Sequence, residues 1–137
     1  MKLSKTSAQA ALALGVLAAQ PDGDYLQARH IAEKLNIPTV SALKILQALT
    51  RGHLIESQLG RSGGYRLVCP ADQVSLLRIV EAIDGPVRGQ MRIDGTPAGV
   101  SRGVECLRAA CTSAADALRE QLERTTVADL TELPVAA

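Results

Sequence analysis

Aromatic residues are almost missing from this chain. It has no Phe and no Trp, and its two tyrosines are Tyr25 and Tyr65. Proteins that grip single-stranded nucleic acid stack bases on aromatic platforms, so that mode of binding is a poor fit. Cysteine is scarce as well. Cys69, Cys106 and Cys111 make an odd set, and with nothing at the start resembling a signal peptide they point to a reducing cytoplasm. No segment is apolar for long enough to span a bilayer. The stretch 7–19, SAQAALALGVLAA, is apolar but short, which suits a buried core helix. Catalytic signatures are lacking too. His30 and His53 stand apart from any carboxylate–nucleophile arrangement, and no HxxxH or CxxC occurs. The glycines at 60–64 are not followed by the Lys-Ser/Thr pair of a phosphate loop. An enzyme is therefore not expected.

What is present is aliphatic. The 137 residues are 47% hydrophobic, enough for one domain with a helical arm. An Ala- and Leu-rich chain favours helix. Net charge is only +1, which alone predicts no polyanionic partner. Its distribution says more. Residues 1–69 carry a net +4 and residues 70–137 a net −3. That asymmetry suits a DNA-reading unit joined to a unit with another task.

Ser4 can cap a first helix reaching about residue 19, which Gln20-Pro21-Asp22-Gly23-Asp24 breaks. A second helix is expected over 28–35 and is ended by Asn36-Ile37-Pro38. A third runs over 39–52, with Ala42, Ile45, Leu46 and Leu49 on a buried stripe. Next comes IESQLGRSGGYRLV, residues 55–68: a strand, a tight glycine-rich turn and a strand. Helix, helix, basic hairpin is the order of a winged helix-turn-helix. Leu43 lies partly off the stripe of the third helix, placed to pack under the wing or to touch a thymine methyl. The fold class expected is thus mainly α with a small β-hairpin wing, plus a long C-terminal helix.

Residue type and position nominate a DNA-binding set. Thr39, Ser41, Lys44, Gln47 and Arg51 lie off the buried stripe of the third helix and can donate to phosphates or base edges. Arg61, Ser62, Gly63, Gly64 and Arg66 form the wing. Lys2, Lys5 and Arg29 add phosphate-neutralising charge. The bland alternative for each is a solvated surface.

Beyond the wing, Pro70–Gln73 is expected to cap a helix over 74–83. Residues 85–103 hold five glycines, two prolines and three arginines, a long connection of the kind that carries function or disorder. From 104 to about 125 a last long helix places Val104, Leu107, Cys111, Ala114, Leu118 and Leu122 on one seam. Such a helix pairs with its symmetry mate or packs back on its own domain. The tail after 126 has one more short apolar run and then frays. The organisation expected is 1–84 for DNA, 85–103 as connection or sensor loop, and 104–137 as dimerisation helix and tail.

Several blocks together carry a family resemblance. MKLSKTS at the start, IAEKLNIP, KILQALTRGHLIES, the wing GRSGGYRL, VSLLRIVEAIDGP and the late TTVADL resemble the Rrf2 family of bacterial transcription regulators over about residues 1–131. The resemblance implies a cytoplasmic homodimer on a palindromic operator in double-stranded DNA. The third helix would enter the major groove and the wing an adjacent minor groove, with the long helices crossing to form the dimer. Repression and redox sensing belong to that expectation. Several members carry an iron–sulfur cluster, usually on three cysteines before the long helix with a further ligand of another type; others use a partner protein or a thiol. Here Cys106 and Cys111 alone fall in the matching region, so the metal-ligand set is incomplete. On one continuous helix they would lie about 140° apart, and they converge only if 105–110 is a loop. Leu59 stands where family wings commonly carry Arg, and Ser41 where the third helix often has Tyr; both bear on which operator is read.

The competing function is a winged-helix module that binds protein and no DNA. Arg61→Ala is expected to weaken DNA binding strongly and Arg119→Ala is not. A random-DNA selection that enriches no motif would favour the protein-binding module, and equal effects of the two substitutions in a gel shift at controlled salt would remove the wing from the interface.

Overall fold

Ser4 starts the first helix as expected. Its hydroxyl accepts the Ser7 N–H at 3.0 Å, and α1 runs Lys5–Ala18. The computed structural model describes residues 1–95 and 98–131. After α1 come α2 (Ala28–Leu35), α3 (Thr39–Arg51), an antiparallel hairpin of β1 (Ile55–Gln58) and β2 (Gly64–Leu67), then α4 (Leu76–Asp84), α5 (Ser101–Arg124) and α6 (Val127–Thr131). The register pairs Ile55 with Leu67 and Gln58 with Gly64.

α1 is the axis of the core. Ala10, Ala13 and Leu14 are fully or almost fully buried, and α2, α3, α4, α6 and β2 all pack against the helix. Small side chains make this crowding feasible, since helices approach closely only where little projects between them. Leu14, Ile31, Leu46, Leu49, Leu54 and Ile79 fill the space between elements. Each such burial stabilises by roughly 1.5–3 kcal/mol.

Among the described residues two buried polar side chains, Ser7 and Ser75, tie helix ends together. Ser7 donates to Asp84 Oδ2 at 2.8 Å, and Ser4 donates to the same oxygen at 2.6 Å. A carboxylate at the end of α4 thus faces the N-terminus of α1, where negative charge is favoured. Ser75 caps α4, accepting the Arg78 N–H at 3.2 Å while its hydroxyl donates to Glu123 of α5.

The fourth helix begins later than its sequence pattern indicates. Ala71–Gln73 forms a separate 3-10 turn, and the cap is Ser75 rather than the Pro70–Gln73 segment. Val74 is extended because its carbonyl accepts from Val127, while the Leu76 N–H reaches Thr125. This short bridge brings α6 back beneath α1. Gly15 admits it, with Leu130 Cβ 3.7 Å from where a Gly15 side chain would start. Fraying expected beyond Thr131 lies outside the described residues.

α5 begins at Ser101, ahead of the expected residue 104, so Cys106 and Cys111 sit on one uninterrupted helix. Its seam divides. Leu122 is buried and Leu118 half-buried, on the part of the helix that packs back on the domain. Leu107 and Ala114 are exposed, and Val104 and Cys111 half-exposed. The connection is anchored to the helix: Gly89 lies against the Cys111 backbone so closely that a Cβ would fall 2.5 Å from the Cys111 carbonyl oxygen. Arg119 donates to Glu81 Oε2 at 2.9 Å and to the Val87 carbonyl at 3.3 Å, and Val87 N–H donates to Glu81 at 3.1 Å. Arg119 is therefore a clasp joining α4, the connection and α5. Among the described residues no helix is long and apolar enough to cross a membrane.

One close approach holds the wing to the domain. Leu26 and Tyr65 exchange backbone hydrogen bonds at 2.9 Å each way, giving the hairpin a third, one-residue strand. Gly64 has φ +135°, and a Cβ there would meet the Leu26 carbonyl oxygen at 2.4 Å. Gly64→Ala is expected to destabilise by roughly 2–4 kcal/mol, from strain plus a backbone clash. Gly60→Ala, with φ +104° but nothing within 4 Å, should cost only the strain, about 1–3 kcal/mol. Urea unfolding of both variants checks this; losses of the same size would show that Gly64 is not a packing contact.

Candidate nucleic-acid interface

The helix-turn-helix is built by local chemistry. Asn36 takes the left-handed conformation at φ 55° and ends α2. Its N–H bonds Glu33, and the Ile37 N–H reaches back to Ala32 at 3.0 Å, the paired hydrogen bonds of a Schellman motif. Pro38 then opens α3, where a missing N–H costs nothing. Ala42, Ile45, Leu46 and Leu49 are buried as the stripe requires. The opposite face is open: Thr39, Lys44, Gln47 and Arg51 are exposed and Ser41 is half-buried.

That face also holds Val40, 65% exposed, and Leu43, 37% exposed. Val40 has no polar group to nominate it from sequence. Its spacing from Leu43, Lys44 and Gln47 places it on the outward face, and an apolar side chain there suits a thymine methyl. Leu43 points outward rather than into the core.

Lys5, Ser41 and Lys44 come together. With Thr6, Gln9 and Ile45 they line a cleft of about 260 Å³ between the start of α1 and the first half of α3. Thr6 and Gln9 carry no sequence signal for this, because only the packing of α1 against α3 brings them there. Lys2 is exposed just before α1.

At the wing, Arg61 and Ser62 are exposed at the turn, which closes with Gly63 N–H to Gly60 O at 3.1 Å. Gly63 is buried, and a Cβ on it would lie 2.1 Å from the Gln58 carbonyl oxygen. Arg29 donates to Gln27 Oε1 at 3.1 Å. Arg66 differs from its neighbours. Its Nε hydrogen-bonds Glu56, its cross-strand partner, and its guanidinium carbon lies 4.5 Å from the centre of the Tyr25 ring. The Glu56 hydrogen bond raises the Arg66 pKa above the usual arginine value. Arg66 is thus already partnered, and Arg61 is the cation that the turn presents.

The cysteines do not form a cluster site. Cys106 is exposed, Cys111 half-buried, and Cys69 sits at the edge of the core below the wing. The unbroken helix sets Cys106 and Cys111 about 140° apart. Among the described residues no group of three or more His, Cys, Asp and Glu side chains could hold a metal ion. The donor set therefore does not fit an iron–sulfur cluster, which normally takes four protein ligands.

Residues 3–133 match the Rrf2 family, described as iron-dependent transcriptional regulators. The HTH-type transcriptional repressor NsrR of Streptomyces coelicolor is 31% identical over 135 residues, covering 98% of this chain and 90% of NsrR. The HTH-type transcriptional regulator IscR of Cereibacter sphaeroides is 33% identical over 111 residues, covering 80% of this chain and 69% of IscR. Among solved structures, CymR, the global cysteine regulator of B. subtilis, superposes with a TM-score of 0.75 at 21% identity, covering 96% of both chains, a likeness of fold. The family is non-enzymatic, and the mostly helical architecture with one small hairpin is its winged-helix fold. With the match running through the helix-turn-helix, the wing and the long helix, this chain belongs to the Rrf2 family of transcriptional regulators.

Proposed function

We propose that the chain is a homodimeric regulator that seats α3 in the major groove of a palindromic operator and lays its wing along an adjacent minor groove. The observation that carries this is the cleft where Lys5 and Lys44, distant in sequence, flank Ser41 beside the outward face of α3. A phosphate in that cleft would meet two ammonium groups and a hydroxyl. Thr39, Val40, Leu43 and Gln47 would then face base edges. Lys2, Arg29, Arg51 and Arg61 extend the phosphate contacts. Repression follows if the operator overlaps a promoter, in keeping with the name of NsrR.

Dimerisation is proposed through the exposed part of the α5 seam. In the single chain Leu107 and Ala114 are exposed and Val104 and Cys111 half-exposed, whereas Leu118 and Leu122 already pack inward. With few free cations per protomer, two half-sites are needed for tight binding. The interface needs no cluster, and thiol chemistry at exposed Cys106 is the redox route left open to this chain.

The direct test is selection from random duplexes, followed by titration of the selected site at several salt concentrations. Arg61→Ala should weaken binding and flatten the log–log salt slope by about 0.9. Arg124→Ala, on an exposed pair with Glu120, is the suitable control. Arg119 is not, because removing it opens the α4–α5 clasp. If no duplex is enriched, the chain is a protein-binding module instead.

Glu56→Gln removes the charge that holds Arg66. It should tighten binding several-fold and steepen the slope by about 0.9 if the freed guanidinium reaches a phosphate. Arg66→Ala should change the slope little. A large loss with Arg66→Ala would mean that the Glu56 pair opens on DNA.

Leu107→Glu should shift the protein from dimer to monomer in sedimentation velocity without altering its circular dichroism, since Leu107 is 55% exposed in the single chain. An unchanged dimer would move the interface elsewhere.

A further inference from the structure

One uncharged side chain lies between two cations of the proposed interface. Gln27 immediately precedes α2 and makes no capping hydrogen bond to it. Its Nε2 instead donates to the Arg61 carbonyl at 3.0 Å, across a sequence separation of 34. Its Oε1 accepts from Arg29 Nε at 3.1 Å. The base of the wing is already held by backbone, through Leu26 and Tyr65 and the close approach of Gly64. The turn has its own hydrogen bond from Gly63 to Gly60, which shapes the loop without fixing it to the helices. Among the described residues, the Gln27 amide is the side-chain tie between the helix-turn-helix and the turn that carries Arg61.

The chemistry of the tie is specific. It needs a donor at one end and an acceptor at the other, within one side chain. A glutamate can still accept from Arg29 but cannot donate to the Arg61 carbonyl. A methionine fills the same space and does neither. A turn anchored only at its base would have to be ordered by the DNA, and that ordering subtracts from affinity.

We infer that Gln27 is a positioning residue for DNA recognition, tying the wing turn to the start of α2 so that Arg61 meets the phosphate backbone in one fixed geometry. This rests on the DNA-binding function proposed above. Its contribution passes through Arg61, and that dependence is what distinguishes it from a general packing role.

The test uses the full chain and its selected duplex. Gln27→Met, Gln27→Glu, Arg61→Ala and the double variant Gln27→Met with Arg61→Ala are titrated at several salt concentrations. Gln27→Met should weaken binding by roughly threefold to tenfold, the scale of one or two hydrogen bonds. It should cost little on the Arg61→Ala background, leaving clear coupling in the double-mutant cycle. Amide exchange in the free protein should speed up at residues 60–63 while Leu26 and Tyr65 stay protected. Gln27→Glu should bind no better than Gln27→Met. Additive losses, or unchanged exchange at the turn in both Gln27 variants, overturn the inference even if the parent protein binds its duplex. A parent protein that binds no duplex overturns the DNA-binding function itself, and this role falls with it; faster exchange at the turn would then mark only a mechanical tie.

Discussion

Everything in this structure hangs on how closely its helices can approach α1. A core without Phe or Trp, with Tyr65 packed only at its edge, has little large flat surface to span gaps between elements. It must close by bringing backbones near to one another, and the small residues of α1 permit that. Ala10 and Ala13 face inward with almost no exposure, and Gly15 leaves room for α6. Interiors tolerate few voids, so each close approach fixes the next element in turn. The placement of α3 beside the start of α1, and hence the Lys5–Ser41–Lys44 cleft, follows from that packing.

The acidic half of the chain has a more local task than its net charge suggests. Asp84 holds Ser4 and Ser7 at the head of α1, Glu81 receives Arg119 and Val87, and Glu123 receives the Ser75 cap. These contacts join α4 to α1 on one side and to α5 on the other. Partly exposed ion pairs are individually worth only about 0–1 kcal/mol. Their value here is geometric, because α4 becomes the mechanical link between α1 and the long helix. The charge asymmetry between the halves is a hint of two tasks, and three of its carboxylates, Glu81, Asp84 and Glu123, also serve as joints between elements.

Short-range rules govern what is legible in the sequence. The caps at Ser4 and Asn36, the buried stripe of α3 and the reversal at 60–64 each depend on a few neighbouring residues, and the structure has all of them. The start of α4 escapes those rules because a distant strand-like contact with Thr125 and Val127 draws Val74 and Ser75 out of the helix. The partnering of Arg66 is hidden for the same reason. Strand register sets Glu56 opposite it, and Tyr25 comes from before α2. Arg119 reads as an inert surface cation because its partners lie on other elements. Type and position alone nominate the proposed DNA-binding residues, and packing then divides them into free, tied and clustered groups.

That division changes the electrostatic argument. Counting lysines and arginines in the first half treats Arg66 and Arg61 as equals, although Arg66 is paired with Glu56 and Arg61 has no ion-pair partner among the described residues. Each phosphate contact contributes to affinity in a salt-dependent way, so a protomer with fewer free cations binds weakly and releases readily. In the proposed dimer, a weak protomer would make occupancy depend steeply on pairing, because the second half-site would be engaged at a high effective concentration. Control of such a protein need not act at the DNA surface. Gly89 and Cys111, where the connection lies against α5, border the seam through which two long helices would meet in the proposed dimer. The Glu81–Arg119 clasp joins that segment to α4, and Asp84 joins α4 to the head of α1 beside the cleft.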